Sequence, residues 1–168
     1  MSKKLKLILV LFIIFLLTVT FTVMYIRILN ELYESLTNTI ETFDIYSAQL
    51  IELSENPPLI RLNVSFCLEN NEKYAVTIDL IQAQLYINNE YLGSSNPYGQ
   101  MTSFDVPAGE KYIISVIFVS VNQKMIEIIN DGNQNMILNG TIMGHASFFF
   151  FSTSYKRQFQ IEKTMFVE

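Results

Sequence analysis

Chemistry has few residues to rest on in this chain. His145, in "MGHAS" between two expected strands, is the only histidine, so any Ser–His or Cys–His pair has to use it. A histidine in a turn reads first as a polar surface residue and only then as a base. Cys67 is the only cysteine, which excludes an intramolecular disulfide and a thiolate metal cage. No His or cationic residue neighbours it in sequence to lower its pKa, so it reads as a small strand residue. Asp131, Asn133 and Asn135 stand at the one, three, five spacing of a calcium loop. Met136 takes the place of that loop's glycine, however, and Ile142 that of its bidentate glutamate, so the segment reads as a polar turn. No glycine-rich phosphate loop or paired-carboxylate motif is present. The sequence nominates no catalytic residue, cofactor or metal, and it points away from an enzyme.

What it nominates are surfaces. Asn63-Val64-Ser65 and Asn139-Gly140-Thr141 are sequons, acceptors for N-glycosylation if they lie outside the cell. Phe148, Phe149, Phe150 and Phe151 form the densest aromatic run. Read as a strand, four rings in a row point two to each side. Either both sides are covered, the favoured reading, or one is an apolar patch for lipid or a partner.

The elements that position these residues follow from periodicity. From Ile45 onward apolar residues recur every second position. Strands are expected at Tyr46–Leu53, Leu59–Glu69, Tyr74–Asn88, Glu90–Ser94, Gln100–Val106, Lys111–Val121, Met136–Met143, Ala146–Ser152 and Ser154–Glu168. Turn-forming stretches bound them: "ENPP", "ENNE", "INNE", "SSNPYG" and "PAGE". Short strands at even spacing with little helix between them predict an all-β antiparallel sandwich or barrel. One short helix interrupts it at "NQKMIEIINDG", with Asn122 as N-cap and Gly132 past its end. Tyr74, Val76, Ile78 and Leu80 hold one phase, and Ile81, Ala83, Leu85 and Ile87 the other. Period two is strict in a flat strand, so a bulge or bend is required near Leu80, where the strand could change sheets.

Ahead of the strands, Leu5 to Ile26 reads "LKLILVLFIIFLLTVTFTVMYI", with Lys6 its only charge. About 20 residues at 1.5 Å each cover a hydrocarbon core of roughly 30 Å, so the segment is long enough for a transmembrane helix. Lys3, Lys4 and Lys6 also resemble the basic start of a signal peptide. The apolar run is too long for that, and no small-residue cleavage site follows, so an uncleaved anchor is the stronger reading. The lysines put the N-terminus in the cytoplasm and the domain outside, at the cell membrane. Beyond the span, Leu29, Leu32, Leu36 and Ile40 recur at helical spacing, which predicts an amphipathic stalk. The domain itself, or a helix of a second copy or of another membrane protein, covers that stripe. The organisation is 1–27 cytoplasmic tail and anchor, 28–45 stalk, 46–168 β-domain. Without the four basic residues of the membrane segment the chain carries a net charge of −9, which argues against nucleic acid or anionic lipid headgroups as a main partner.

The stretches "INNEYLG", "VPAGEK" and "LNGTIMG", with the alternating strand "LIRLNVSFCLENNEKYAVTIDLIQAQL", resemble the late-embryogenesis-abundant type 2 domain, also called the water stress and hypersensitive response domain. The resemblance covers about residues 46–168; Asn70-Asn71-Glu72 stands where that family has Asn-Pro-Asn. It implies an immunoglobulin- or fibronectin-like sandwich, a single N-terminal membrane helix and a role in desiccation and stress tolerance, with no catalytic residue to carry over. The expected function is a membrane-anchored, non-enzymatic protective or binding module. The alternative is an accessory subunit of a membrane assembly, with the stalk and Phe148–Phe151 as contacts.

Overall fold

The computed structural model describes residues 3–95, 103–129 and 133–166. Its first element is one unbroken helix, α1 (Lys3–Glu41, 39 residues), about 58 Å long at 1.5 Å per residue. It contains neither proline nor glycine. Thr18, Thr20 and Thr22 are the polar residues of its apolar half, and their hydroxyls donate back to the carbonyls of Ile14, Leu16 and Thr18 at 2.9, 2.8 and 2.9 Å. This part of the helix is exposed on every side. It is long and apolar enough to cross a membrane, and a signal sequence meets the same test of length and composition.

Past Ile28 the helix becomes one-sided. Leu32, Ser35, Leu36, Thr39 and Ile40 are buried at steps of three and four, and the hydroxyls of Ser35 and Thr39 are satisfied by the carbonyls one turn back. The expected stripe is therefore covered by the chain itself: Leu32, Leu36 and Ile40 belong to the domain's core. They make their apolar contacts there and present no contact surface, which corrects that reading of them. Leu29 is half-buried.

The strands are β1 (Asp44–Glu55), β2 (Pro58–Asn70), β3 (Val76–Ile87), β4 (Glu90–Ser94), β5 (Phe104–Val106), β6 (Glu110–Ser120), β7 (Asn133–Phe148) and β8 (Phe151–Phe166), with helix α2 (Gln123–Ile129) between β6 and β7. They form two sheets, β1-β2-β6 and β4-β3-β7-β8, with β5 also on β3. Every pairing is antiparallel. Of the expected strand Gln100–Val106, residues 100–102 lie outside the described residues. The N-cap of α2 is Asn122, whose Oδ1 accepts the Lys124 amide at 3.0 Å.

The phase flip in β3 is a bulge. Ile78 pairs with Gly144 and Leu80 with Met143, so Asp79 is the extra residue, and the buried set passes from Val76 and Ile78 to Ile81, Ala83, Leu85 and Ile87. The strand stays in one sheet; the expected change of sheets does not occur. β7 also departs from expectation, because the strands Met136–Met143 and Ala146–Ser152 are one continuous strand up to Phe148. Gly144 and His145 lie inside this strand and not in the expected turn, and a Cβ on Gly144 would come within 2.6 Å of the Thr77 carbonyl. The glycine lets two backbones approach inside the sheet.

Both sheets and α1 share one core. Phe43 joins them, with ring centroids 5.3 Å from Phe66 of β2 and 4.9 Å from Phe159 of β8. A buried asparagine, Asn70, ties the turns at one end: its Nδ2 donates to the carbonyls of Tyr74 and Val106 at 2.8 and 2.9 Å, its Oδ1 accepts the Glu72 amide at 3.1 Å, and its carbonyl accepts the Gly109 amide at 2.6 Å.

The two halves of α1 differ in what a truncation removes. Leu36→Ala destabilises the full chain by about 2–5 kcal/mol, the range for a buried leucine, whereas Leu11→Ala, at a position 57% exposed, changes stability by less than about 0.5 kcal/mol. Urea titration in uncharged detergent reads both, and equal effects would contradict the division of the helix.

Candidate interface at the junction of helix and hairpin

The side chains that could act on something outside the chain gather where α1 leaves the domain. The run Phe148–Phe151 does not form a strand with rings on both faces. Phe148 pairs with Phe151, and Phe149 and Phe150 are the two central residues of the β7–β8 turn. The expected burial is corrected accordingly: Phe148 is 37% exposed, Phe149 83% and Phe150 99%. Antiparallel strands joined by two residues reverse too sharply for the central pair to reach a core. Phe149 has φ 53°, the left-handed region that a two-residue turn requires and that glycine or asparagine normally fills.

Phe151 turns back toward the helix, its ring edge-on to Tyr25 with centroids 5.3 Å apart. Four residues on, Tyr155 meets Tyr33 in the same way at 5.9 Å. Phe148 packs on Tyr74 at 5.3 Å, beside an open concavity of about 680 Å³ lined by Met24, Arg27, Ile28, Glu31, Lys73 and Ser147 among others. Glu31 links three of its lining residues. One carboxylate oxygen accepts Arg27 Nε at 2.8 Å; the other accepts Lys73 Nζ at 3.0 Å and the Tyr74 hydroxyl at 3.2 Å. The Arg27 guanidinium, then the Lys73 ammonium, hold the Glu31 carboxyl down at about 2, from an ordinary value near 4.5. The Lys73 ammonium, bonded to Tyr74 and Glu31, is pushed up.

The other nominated residues lie elsewhere. His145 is in β7, its Nδ1 2.9 and 3.0 Å from the two oxygens of the bulged Asp79. The bulge thus gives the histidine a carboxylate partner, correcting its reading as a turn residue. Neither residue lines the concavity at Glu31 nor a second of about 720 Å³, which carries the amides of Gln82, Gln84, Asn139, Gln158 and Gln160 and no charged group. Cys67 is buried. Asn63 is half-buried in β2, and Asn139 is in mid-β7 with its Oδ1 buried. Among the described residues no three of His, Cys, Asp and Glu converge as metal ligands; Asp131 of the calcium-like spacing lies outside them. Of the residues at the junction, Arg27 and Glu31 stand at helical i,i+4 spacing in the sequence. Lys73 and Tyr74 carry no such signal, because only the fold brings them to α1.

Comparison with known protein families and with curated proteins finds no match. Among solved structures, one titled "Crystal structure of protein from Archaeoglobus fulgidus" aligns over 74% of this chain and 100% of its own, with 8% identity and a TM-score of 0.38.

Glu31 sets a pH dependence for the junction. Its folded pKa is depressed, so its charge stabilises the fold at and above about pH 4.5, and that contribution is lost as pH falls toward 2. Urea midpoints of the full chain are expected to fall across that window more steeply than those of Glu31→Gln, which has no carboxyl to protonate. Parallel curves for the two proteins would remove Glu31 from the account.

Proposed function

We propose that this chain is a membrane-anchored β-domain that works by binding or shielding surfaces. The observation that carries this reading is the continuity of α1: its exposed apolar half runs without a break into a half buried in the domain, so an anchor in lipid holds the domain directly. The span is one segment near the N-terminus. By the positive-inside rule Lys3, Lys4 and Lys6 keep that end in the cytoplasm and the domain lies outside. The two antiparallel sheets support an immunoglobulin-like sandwich. The protective role in drying and stress rests on the resemblance to the late-embryogenesis-abundant type 2 domain and on the net charge of −9, which favours a hydrated surface.

The accessory-subunit reading has a different observation behind it. With the stalk stripe buried, the exposed Phe149 and Phe150 of the Phe148–Phe151 run remain of its contact residues, and the outer side of β6 adds Ile113, Ile117 and Val119, 46%, 53% and 48% exposed in an edge strand. A stoichiometric partner retained through mild-detergent purification favours it, and a monomer alone removes it.

Three measurements separate the parts of the main reading. Alkaline carbonate is expected to leave the chain in the membrane pellet, with an intact mass that includes the apolar segment. Release with a mass lacking it would make the segment a cleaved signal. Protease added to intact cells is expected to remove the domain, and glycan at Asn63 or Asn139 would report the same orientation. Cells lacking the protein are expected to survive drying poorly; normal survival would sink the protective role and leave the anchor untouched.

A further inference from the structure

We propose that the tip of the β7–β8 hairpin, Phe149 and Phe150, inserts into the surface of the same lipid bilayer that α1 crosses, giving the domain a second membrane contact. The inference rests on the anchored reading above and adds what that reading lacks, a fixed orientation of the domain on the lipid.

Depth is set by two ring contacts. Tyr25 meets Phe151 and Tyr33 meets Tyr155. Between these contacts the helix advances eight residues, about 12 Å, and the strand four, about 14 Å. Strand and helix therefore run side by side, in the same direction and at nearly the same rate. The turn that precedes Phe151 lies farther toward the N-terminus of α1 than Tyr25, level with the last apolar turn of the span. About 20 residues span the hydrocarbon, and counted from Lys6 they end at Tyr25. A bilayer placed on α1 thus meets the hairpin tip without any movement of the domain.

The chemistry of the tip suits that depth. Phe149 and Phe150 are 83% and 99% exposed, and phenylalanine is among the apolar side chains that surface-bound elements bury at the boundary of headgroups and acyl chains. Behind them Arg27 and Lys73 present cations 78% and 70% exposed, at the level of lipid phosphates, while Glu31 fixes their positions. The positive φ of Phe149 is a second, independent sign. A bulky residue is kept where glycine fits with less strain, as happens where a side chain serves a contact and the backbone pays for it.

The chain has no tryptophan, so one substitution makes a single emitter. The full chain is reconstituted in phosphatidylcholine vesicles containing lipids brominated at shallow or at deep acyl positions. Three variants are compared: Phe15→Trp in the span, Phe150→Trp at the tip, and Tyr91→Trp in β4. All three positions are exposed, so the fold tolerates the change. Tyr91 pairs with Tyr86, which pairs with Ile137, eleven residues along β7 from Phe148 or about 37 Å. The expected result is deep quenching of Phe15→Trp, shallow quenching with a blue shift of Phe150→Trp, and neither for Tyr91→Trp. If Phe15→Trp is quenched while Phe150→Trp behaves like Tyr91→Trp, the tip does not enter lipid, the anchored reading stands, and the exposed rings are left for a protein partner. If Phe15→Trp is itself unquenched, the anchored reading fails and the insertion fails with it.

Discussion

One helix passes from an apolar half long enough to cross a membrane into a half packed on the domain, and the rest of the structure is arranged around that change. A span in hydrocarbon needs apolar side chains all round and every polar group satisfied within the segment. A helix packed on a domain needs a single apolar stripe. α1 changes from an all-exposed apolar surface to a buried stripe between Ile26 and Leu32 with no break in the helix. The sheets are built against that second half. Leu32, Leu36 and Ile40 enter the same core as Phe66, Phe118 and Leu138, and Phe43, just past the helix, stacks between the two sheets. The helix end is held as well: Arg157 Nη1 reaches the Ile40 carbonyl at 3.3 Å, a cation where the helix dipole is negative. The apolar half of α1 and the domain are therefore joined through one continuous helix.

Polar groups inside the packed core follow the same economy. Ser35 and Thr39 lie in the buried stripe but bond to their own helix, so the cost of burying a hydroxyl is met locally. Asn70 uses both ends of its amide and its main-chain carbonyl to hold two turns in place, β2–β3 and β5–β6. A buried side chain satisfied in that way specifies geometry more than it adds net stability, since leaving any one partner unpaired costs about 1–3 kcal/mol. The bulge at Asp79 is the corresponding device within a sheet: it reverses the buried face of β3 midway and brings a carboxylate to His145.

What the sequence made legible was whatever depends on near neighbours. The apolar span, the stripe after it, the strands from Ile60 to Ile87 and the need for a bulge near Leu80 all follow from periods of two and 3.6. The missed features depend on pairing across the fold. Gly144-His145 looks like a turn until Thr77 is placed against it. Phe148–Phe151 carries none of the Gly, Asn, Asp or Pro that signal a reversal, so only the pairing of Phe148 with Phe151 reveals one. Asn70 marks the "ENNE" turn by its type; its hydrogen bonds to Tyr74 and Val106 depend on pairing across the fold. The junction was half legible, through Arg27 and Glu31, because Lys73 and Tyr74 are brought to α1 by the pairing of the strands between them.

The turn at Phe149 shows why local rules failed there. A left-handed backbone costs an ordinary residue about 1–2 kcal/mol, and leaving two phenylalanines in water forgoes roughly 1.5–3 kcal/mol of burial for each. Within the domain alone both terms are unfavourable, and a turn sequence with glycine would relieve both. With lipid as the cover, the burial of two rings exceeds the strain of one residue, and the same turn becomes favourable. Hydrophobic pattern and turn chemistry disagree at this one place because the surface that reconciles them lies outside the polypeptide. Such disagreement is expected where a chain is shaped for a contact and not for its own stability. That is the physical reason to look for the domain's orientation at the hairpin tip, and not at its better-packed strands.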